Sequence, residues 1–192
     1  SATLNDFLID YDNYISIGLH PWYTSKWDNL SYDLLEQKIV SNNVIAIGEC
    51  GLDKLVEPLQ WQSQLDNFEF QVSLSRKINK PLIIHCVKAY NECLEILGNH
   101  QAIFHGFTKR VQLANSIINK GHYVSFGKSI FQMQSKDVFE QMPLEQVFLE
   151  TDTAPISIHN VYDEAVKIRK CSKDAFILQI QSNFQKLFNT HE

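Results

Sequence analysis

The sequence predicts an α/β fold in which short parallel strands alternate with helices, arranged as a (β/α) barrel. Short apolar runs recur at Tyr14 to Gly18, Val44 to Glu49, Leu82 to His85, Ala102 to His105, His122 to Phe126 and Gln146 to Glu150. They are the continuous Val/Ile/Leu/Phe type that a strand needs when helices cover both of its faces. Helix-period segments fill the intervals, and strand followed by helix, repeated, implies parallel pairing. Four of the runs also stop at a metal-type residue: IAIGE at Glu49, PLIIH at His85, AIFH at His105 and VFLETD at Asp152. Chemistry in a barrel of parallel strands collects at their C-terminal ends. One carboxylate, two imidazoles and a second carboxylate at such ends make a candidate divalent-metal site.

The helices can be placed in order. Leu34, Leu35, Lys38 and Ile39 form an amphipathic stripe after Ser31, the expected N-cap. Leu65, Phe68, Val72 and Ser75 mark the longest helix. Tyr90, Cys93, Leu94 and Leu97 form a third apolar face ended by Gly98, and Val111, Ala114, Ile117 and Ile118 a fourth ended by Gly121, since glycine just past the last apolar position is a usual stop. From Ser172 onward, Phe176, Ile180, Phe184, Leu187 and Phe188 define a closing helix. Ala2 to Ile9, with Leu4, Phe7 and Leu8 at helical spacing, suggests a further helix before the first strand. No linker or low-complexity tract interrupts the pattern, so residues 1–192 are expected to form one domain.

Composition narrows the function classes. A chain of 192 residues, 44% apolar, can bury one substantial core. A net charge of −5 argues against a general electrostatic grip on nucleic acid, which needs clustered Lys and Arg to displace counterions; a polyanionic substrate must be held locally. Cys50, Cys86, Cys93 and Cys171 contain no CxxC pair, which favours a reduced, cytoplasmic setting over a disulfide framework. No apolar stretch approaches the roughly 20 residues of a membrane span.

The candidate site residues have distinct roles. Gly48 delivers Glu49, a carboxylate able to bridge two cations. A lone histidine after an apolar run is more often a core residue than a ligand, but His85 and His105 occupy the same strand-end position alongside Glu49 and Asp152. Imidazole with carboxylate suits zinc, manganese or a similar ion, and such an ion assists hydrolysis by lowering the pKa of water and stabilising charge on a phosphoryl or acyl oxygen. Asp152, where Pro155 stops the strand, can bind the metal and take a proton; Glu150, two residues earlier, is placed to support it. Lys109 and Arg110, with Lys128, are candidates for a local phosphate contact. Trp22, Tyr23 and Trp27 either stack nucleobases or pack over the barrel mouth. His100, His122, His159 and His191 read as structural or solvent-facing.

Taken together, GLHPW, IGECGLD, QLDNFEFQ, PLIIHCVKA, FHGF, YVSFGKS and LETD, in order from about Gly18 to about Pro155, resemble the TatD family of metal-dependent deoxyribonucleases within the amidohydrolase-like superfamily of TIM-type (β/α) barrels. The resemblance implies that Glu49, His85, His105 and Asp152 bind one or two divalent ions (Mg, Mn or Zn), with Asp152 also the base and Glu49 catalytic through the metal. It places His20 on the substrate side and implies phosphodiester hydrolysis in DNA, exonucleolytically. The family opens with a strand ending in H-x-H, and no H-x-H occurs in these 192 residues; about six of eight barrel strands are accounted for. Where the family carries Arg two residues after His85, this chain has Val87, with Lys88 beside it as a substitute point charge for substrate. The expectation is fewer than two full metal sites, weak hydrolysis, and self-association through open strand edges. The alternative is a truncated, non-catalytic homologue that serves in binding or assembly.

Overall fold

The computed structural model describes residues 14–56 and 60–188; the stretch Ala2 to Ile9 and His191 lie outside them. Two compact units divide the chain, the first reaching Ile96 and the second beginning at Leu97.

In the first unit, β1 (Ile15–Ile17), β2 (Val44–Asp53) and β3 (Leu82–Val87) pair in parallel in that order. They alternate with α1 (Asn29–Lys38), α2 (Trp61–Ile78) and α3 (Tyr90–Leu97), so strand and helix alternate as the apolar runs imply. The apolar runs end at Glu49 and His85, but the strands do not. β2 continues to Asp53 and β3 to Val87, with Gly51 opposite His85 and Asp53 opposite Val87. Cys50 and Leu52, both fully buried, carry the strand past its polar residues. His85 is therefore held in paired backbone opposite Gly51, whereas Glu49 lies where the β2–β3 register shifts between Ile47 and Cys50.

Two glycines allow that pairing. A Cβ on Gly18 would lie 2.9 Å from the Gly48 Cα, so β1 and β2 approach there as only bare backbone can. Gly51 has φ +131°, and a Cβ on it would sit 2.2 Å from the His85 carbonyl oxygen.

Helix α1 begins one turn before the expected cap. Asp28 is the N-cap, accepting the Ser31 N–H, and the Ser31 hydroxyl closes a capping box from the third helical position. Helix α2, 18 residues long, buries Phe68, Val72 and Ser75 as expected, but Gln64, Asn67 and Gln71 are buried with them and Leu65 only partly. The three amides are there to satisfy backbone and side-chain polar groups in the interior, which would otherwise be costly.

The second unit repeats the pattern, with β4 (Ala102–Phe104), β5 (Tyr123–Phe126) and β6 (Val147–Leu149) parallel and in order. Helices α4 (Val111–Ile118), α5 (Met133–Gln141), α6 (Ile158–Arg169) and α7 (Lys173–Phe188) complete it. Gly98 and Gly121 take φ of +55° and +84°, as terminators of the preceding helices should. The core is aromatic: Phe107 meets Phe126, Phe126 meets Phe139, and Phe139 meets Phe176, with ring centroids 5.2–6.4 Å apart. Such pairs contribute about 0.5–1.5 kcal/mol each beyond their buried area. Arg169 lies over the Phe139 ring and donates from Nη1 to the carbonyls of Phe139, Glu140 and Met142, closing the C-terminal end of α5. Among the described residues no helix is long and apolar enough to cross a membrane.

Candidate metal centre

Three side chains of the first unit converge on one site. His20 follows β1, Glu49 lies in β2 and His85 in β3, and one ligand-type atom from each falls within 4.8 Å of the others. Their placement has local causes. The Gln71 side chain accepts the Leu19 N–H at 2.7 Å and donates to the Leu19 carbonyl at 3.0 Å, so the residue before His20 is held at both backbone groups. Glu49 lies where the β2–β3 register shifts between Ile47 and Cys50. His85 is carried by the β2–β3 ladder.

The hydrogen bonds assign the imidazole tautomers. His20 Nδ1 accepts the Trp22 N–H at 3.2 Å, which leaves the proton of the neutral ring on Nε2, 3.5 Å from Glu49 Oε2. His20 is thus set up to donate a hydrogen bond rather than to ligate through Nε2. That leaves Glu49 and His85 as the better cation ligands in this unit. The two imidazoles sit 4.6 Å apart, with the Trp22 ring edge-on to both.

Asp53 is a fourth polar member; it closes the IGECGLD segment, where the sequence alone assigned it no role. Its carboxylate is 4% exposed. Oδ2 accepts from Trp22 Nε1 at 2.8 Å and lies 3.2 Å from His85 Nε2, while Oδ1 accepts the Leu55 N–H at 2.8 Å. Burial alone would raise the Asp53 pKa, but the Trp22, Leu55 and His85 hydrogen bonds together hold it below the usual aspartate value. Gln64 fixes its backbone, accepting the Asp53 N–H at 2.7 Å and donating to its carbonyl at 3.1 Å. Asp53 lies four residues after Glu49 along one strand, and that even spacing is the signal that could have found it.

The second unit holds the remaining predicted residues. His105 directly follows β4, and its Nδ1 lies 3.7 Å from Glu150 Oε1. The same oxygen accepts the Gly106 N–H at 2.8 Å, so Glu150 reaches the segment that carries His105. Asp152 occupies the turn beyond β6, exposed, with φ +45°. Lys109 and Arg110 are exposed at the start of α4, where they line an open depression with Thr108, Gln112, Leu113 and Gln134. Lys88, at φ +55°, is exposed just past β3. Trp22 and Tyr23 are each about half exposed beside His20.

The donor set of the first unit, imidazole with carboxylate, suits zinc, manganese or a similar divalent ion. Parallel strands carrying such a set are the arrangement on which barrel-type metal sites are built. The family model described as TatD related DNase matches residues 5–189, and the chain belongs to that family. A relative from Buchnera aphidicola, named an uncharacterized metal-dependent hydrolase, is 31% identical over 198 residues covering 91% of this chain and 74% of its own length. The crystal structure of YjjV, a TatD homologue from Escherichia coli K12, superposes with TM-score 0.84 at 24% identity, over 93% of this chain and 77% of that one. A TatD family hydrolase from Entamoeba histolytica gives 0.80 at 20% identity, covering 95% and 77%. Among the described residues, six strands with intervening helices follow the TatD barrel pattern, as the sequence predicted.

Proposed function

We propose that this chain is a metal-dependent hydrolase of DNA phosphodiester bonds, acting exonucleolytically. The observation that carries the reading is the convergence of His20, Glu49 and His85 in a chain of the TatD-related DNase family. Glu49 and His85 would hold the cation from the first unit; in the second, His105 and Asp152 are candidate ligands on sequence resemblance alone. Such an ion, when bound, supplies Lewis acidity, favouring ionisation of water and taking up charge on a phosphoryl oxygen.

The chain's own groups complete the chemistry. His20 presents Nε2–H at the edge of the cluster and can donate to an anionic phosphate oxygen. Asp152 is exposed and able to take a proton from the attacking water. Lys109, Arg110 and Lys88 offer exposed cations for neighbouring phosphates, the local grip that a chain of net charge −5 requires.

The test is hydrolysis of end-labelled DNA with manganese or magnesium, run beside Glu49→Gln and Asp152→Asn. Chelator-sensitive activity that falls at least 100-fold in both variants supports the proposal; equal traces in all three proteins indicate contamination and reject it. A second reading, a scaffold that binds metal or nucleic acid without turnover, is favoured by Val87 standing two residues after His85 where the family carries an arginine. Metal binding with no activity above the variants would establish it.

A further inference from the structure

The role of Asp53 deepens this reading and rests on it. An ionised carboxylate can only accept hydrogen bonds. His85 Nε2, 3.2 Å from Asp53 Oδ2, must then carry a proton, and the lone pair of the neutral ring falls on Nδ1. The carboxylate cannot easily turn away: Trp22 Nε1 also binds Oδ2, the Leu55 N–H binds Oδ1, and the Gln64 side chain holds both the N–H and the carbonyl of the residue itself. At 4% exposure little water competes for these contacts.

We propose that Asp53 is the positioning residue of the metal centre, fixing His85 in the Nε2–H tautomer and aiming Nδ1 as its ligating atom. Gln64 acts one step further out, locking the backbone from which Asp53 reaches. A carboxylate behind a ligating histidine both orients the ring and raises its basicity, and losing such a partner typically weakens metal affinity by about 10–100-fold. Asp53 is not a ligand here: its oxygens already accept from three donors, and it stands outside the group whose ligand atoms converge. Trp22 is drawn in by the same oxygen, so the half-exposed indole beside the cluster is held by the group that orients the imidazole.

The experiment uses nitrogen-15 long-range NMR of the metal-free protein at pH 8.5, together with zinc affinity measured by competition with a chromophoric chelator. The wild type is expected to show His85 protonated at Nε2. Asp53→Asn is expected to populate the Nδ1–H tautomer and to weaken zinc binding about 10–100-fold. A wild-type His85 protonated at Nδ1, or an Asp53→Asn protein whose zinc affinity stays within about twofold, would overturn the proposal. The wild-type tautomer decides the matter even where the variant does not fold. Both readouts are taken without nucleic acid: a protein inert toward DNA that shows the expected tautomer and zinc response loses only the nuclease reading, and an active enzyme with the opposite tautomer loses only this one.

Discussion

Replacing His122 tests whether a buried, uncharged imidazole makes the fold acid-sensitive. His122 is fully buried just before β5, its ring 5.9 Å from that of Phe104. Burial first, then the nearby Lys120, and to a smaller degree His100, push its pKa down from 6.5 to about 4, against a weak opposing contribution from the Gly98 backbone. The depressed pKa fixes the sign of the effect. Above pH 6.5 the ring is neutral in both states and costs nothing; as pH falls, the unfolded chain takes up the proton first, so stability is lost between pH 6.5 and about 4. At pH 4.5 the difference in proton binding amounts to about 2.5 kcal/mol, taking roughly 1.4 kcal/mol per pKa unit. His122→Leu removes this linkage while keeping an apolar side chain against Phe104. Urea unfolding of both proteins at pH 7.5 and pH 4.5 isolates the effect, because every other titrating group is common to the pair. The variant should gain about 2.5 kcal/mol relative to wild type on moving to the lower pH. A relative stability that does not change between the two pH values would refute the reasoning.

Other substitutions probe the framework around the site. Gly51→Ala should cost about 2–4 kcal/mol, since its Cβ would collide with the His85 carbonyl and φ is +131°; an unchanged urea midpoint would show that β2 and β3 can separate freely. Gln71→Leu leaves the Leu19 N–H and carbonyl without their side-chain partner and should destabilise by about 2–4 kcal/mol, with Gln71→Glu, which keeps only the acceptor, in between by thermal unfolding. Arg169→Lys replaces a guanidinium bound to three carbonyls with a point charge and should lower stability by about 1–2 kcal/mol; equal melting temperatures would assign the three bonds no net worth.

The strands were legible because each is a continuous apolar run, and Gly98 and Gly121 marked two helix ends correctly for the same local reason. The extension of β2 was hidden: the apolar run stops at Glu49, and Gly51 and Asp53 break the pattern beyond it, although Cys50 and Leu52 between them keep the core side apolar. Asp28 was passed over as a cap because Ser31, three residues on, is also a capping residue; in a capping box both take part, and only the geometry tells which comes first. Within the site, Glu49, His85 and His105 stood out because each ends an apolar run. Asp53 did not, since its partners His85 and Trp22 are 32 and 31 residues away and meet it only once the strands pair.

A less direct signal lay in α2. Gln64, Asn67 and Gln71 recur at helical spacing on the face that also carries Phe68 and Val72, where a purely structural helix would place apolar side chains. Two of the three amides each hold both backbone groups of one residue: Gln71 holds Leu19, next to His20, and Gln64 holds Asp53, the partner of His85. A leucine at either position would fill the space and leave those backbone groups unpaired, so apolar packing alone cannot explain them. Polar residues inside an otherwise apolar stripe thus mark where the backbone at a strand's end is held in place beside the site. In this chain one helix holds Leu19, just past β1, and Asp53, the last residue of β2, so the position of His20 and the carboxylate beside His85 rest on the same buried surface.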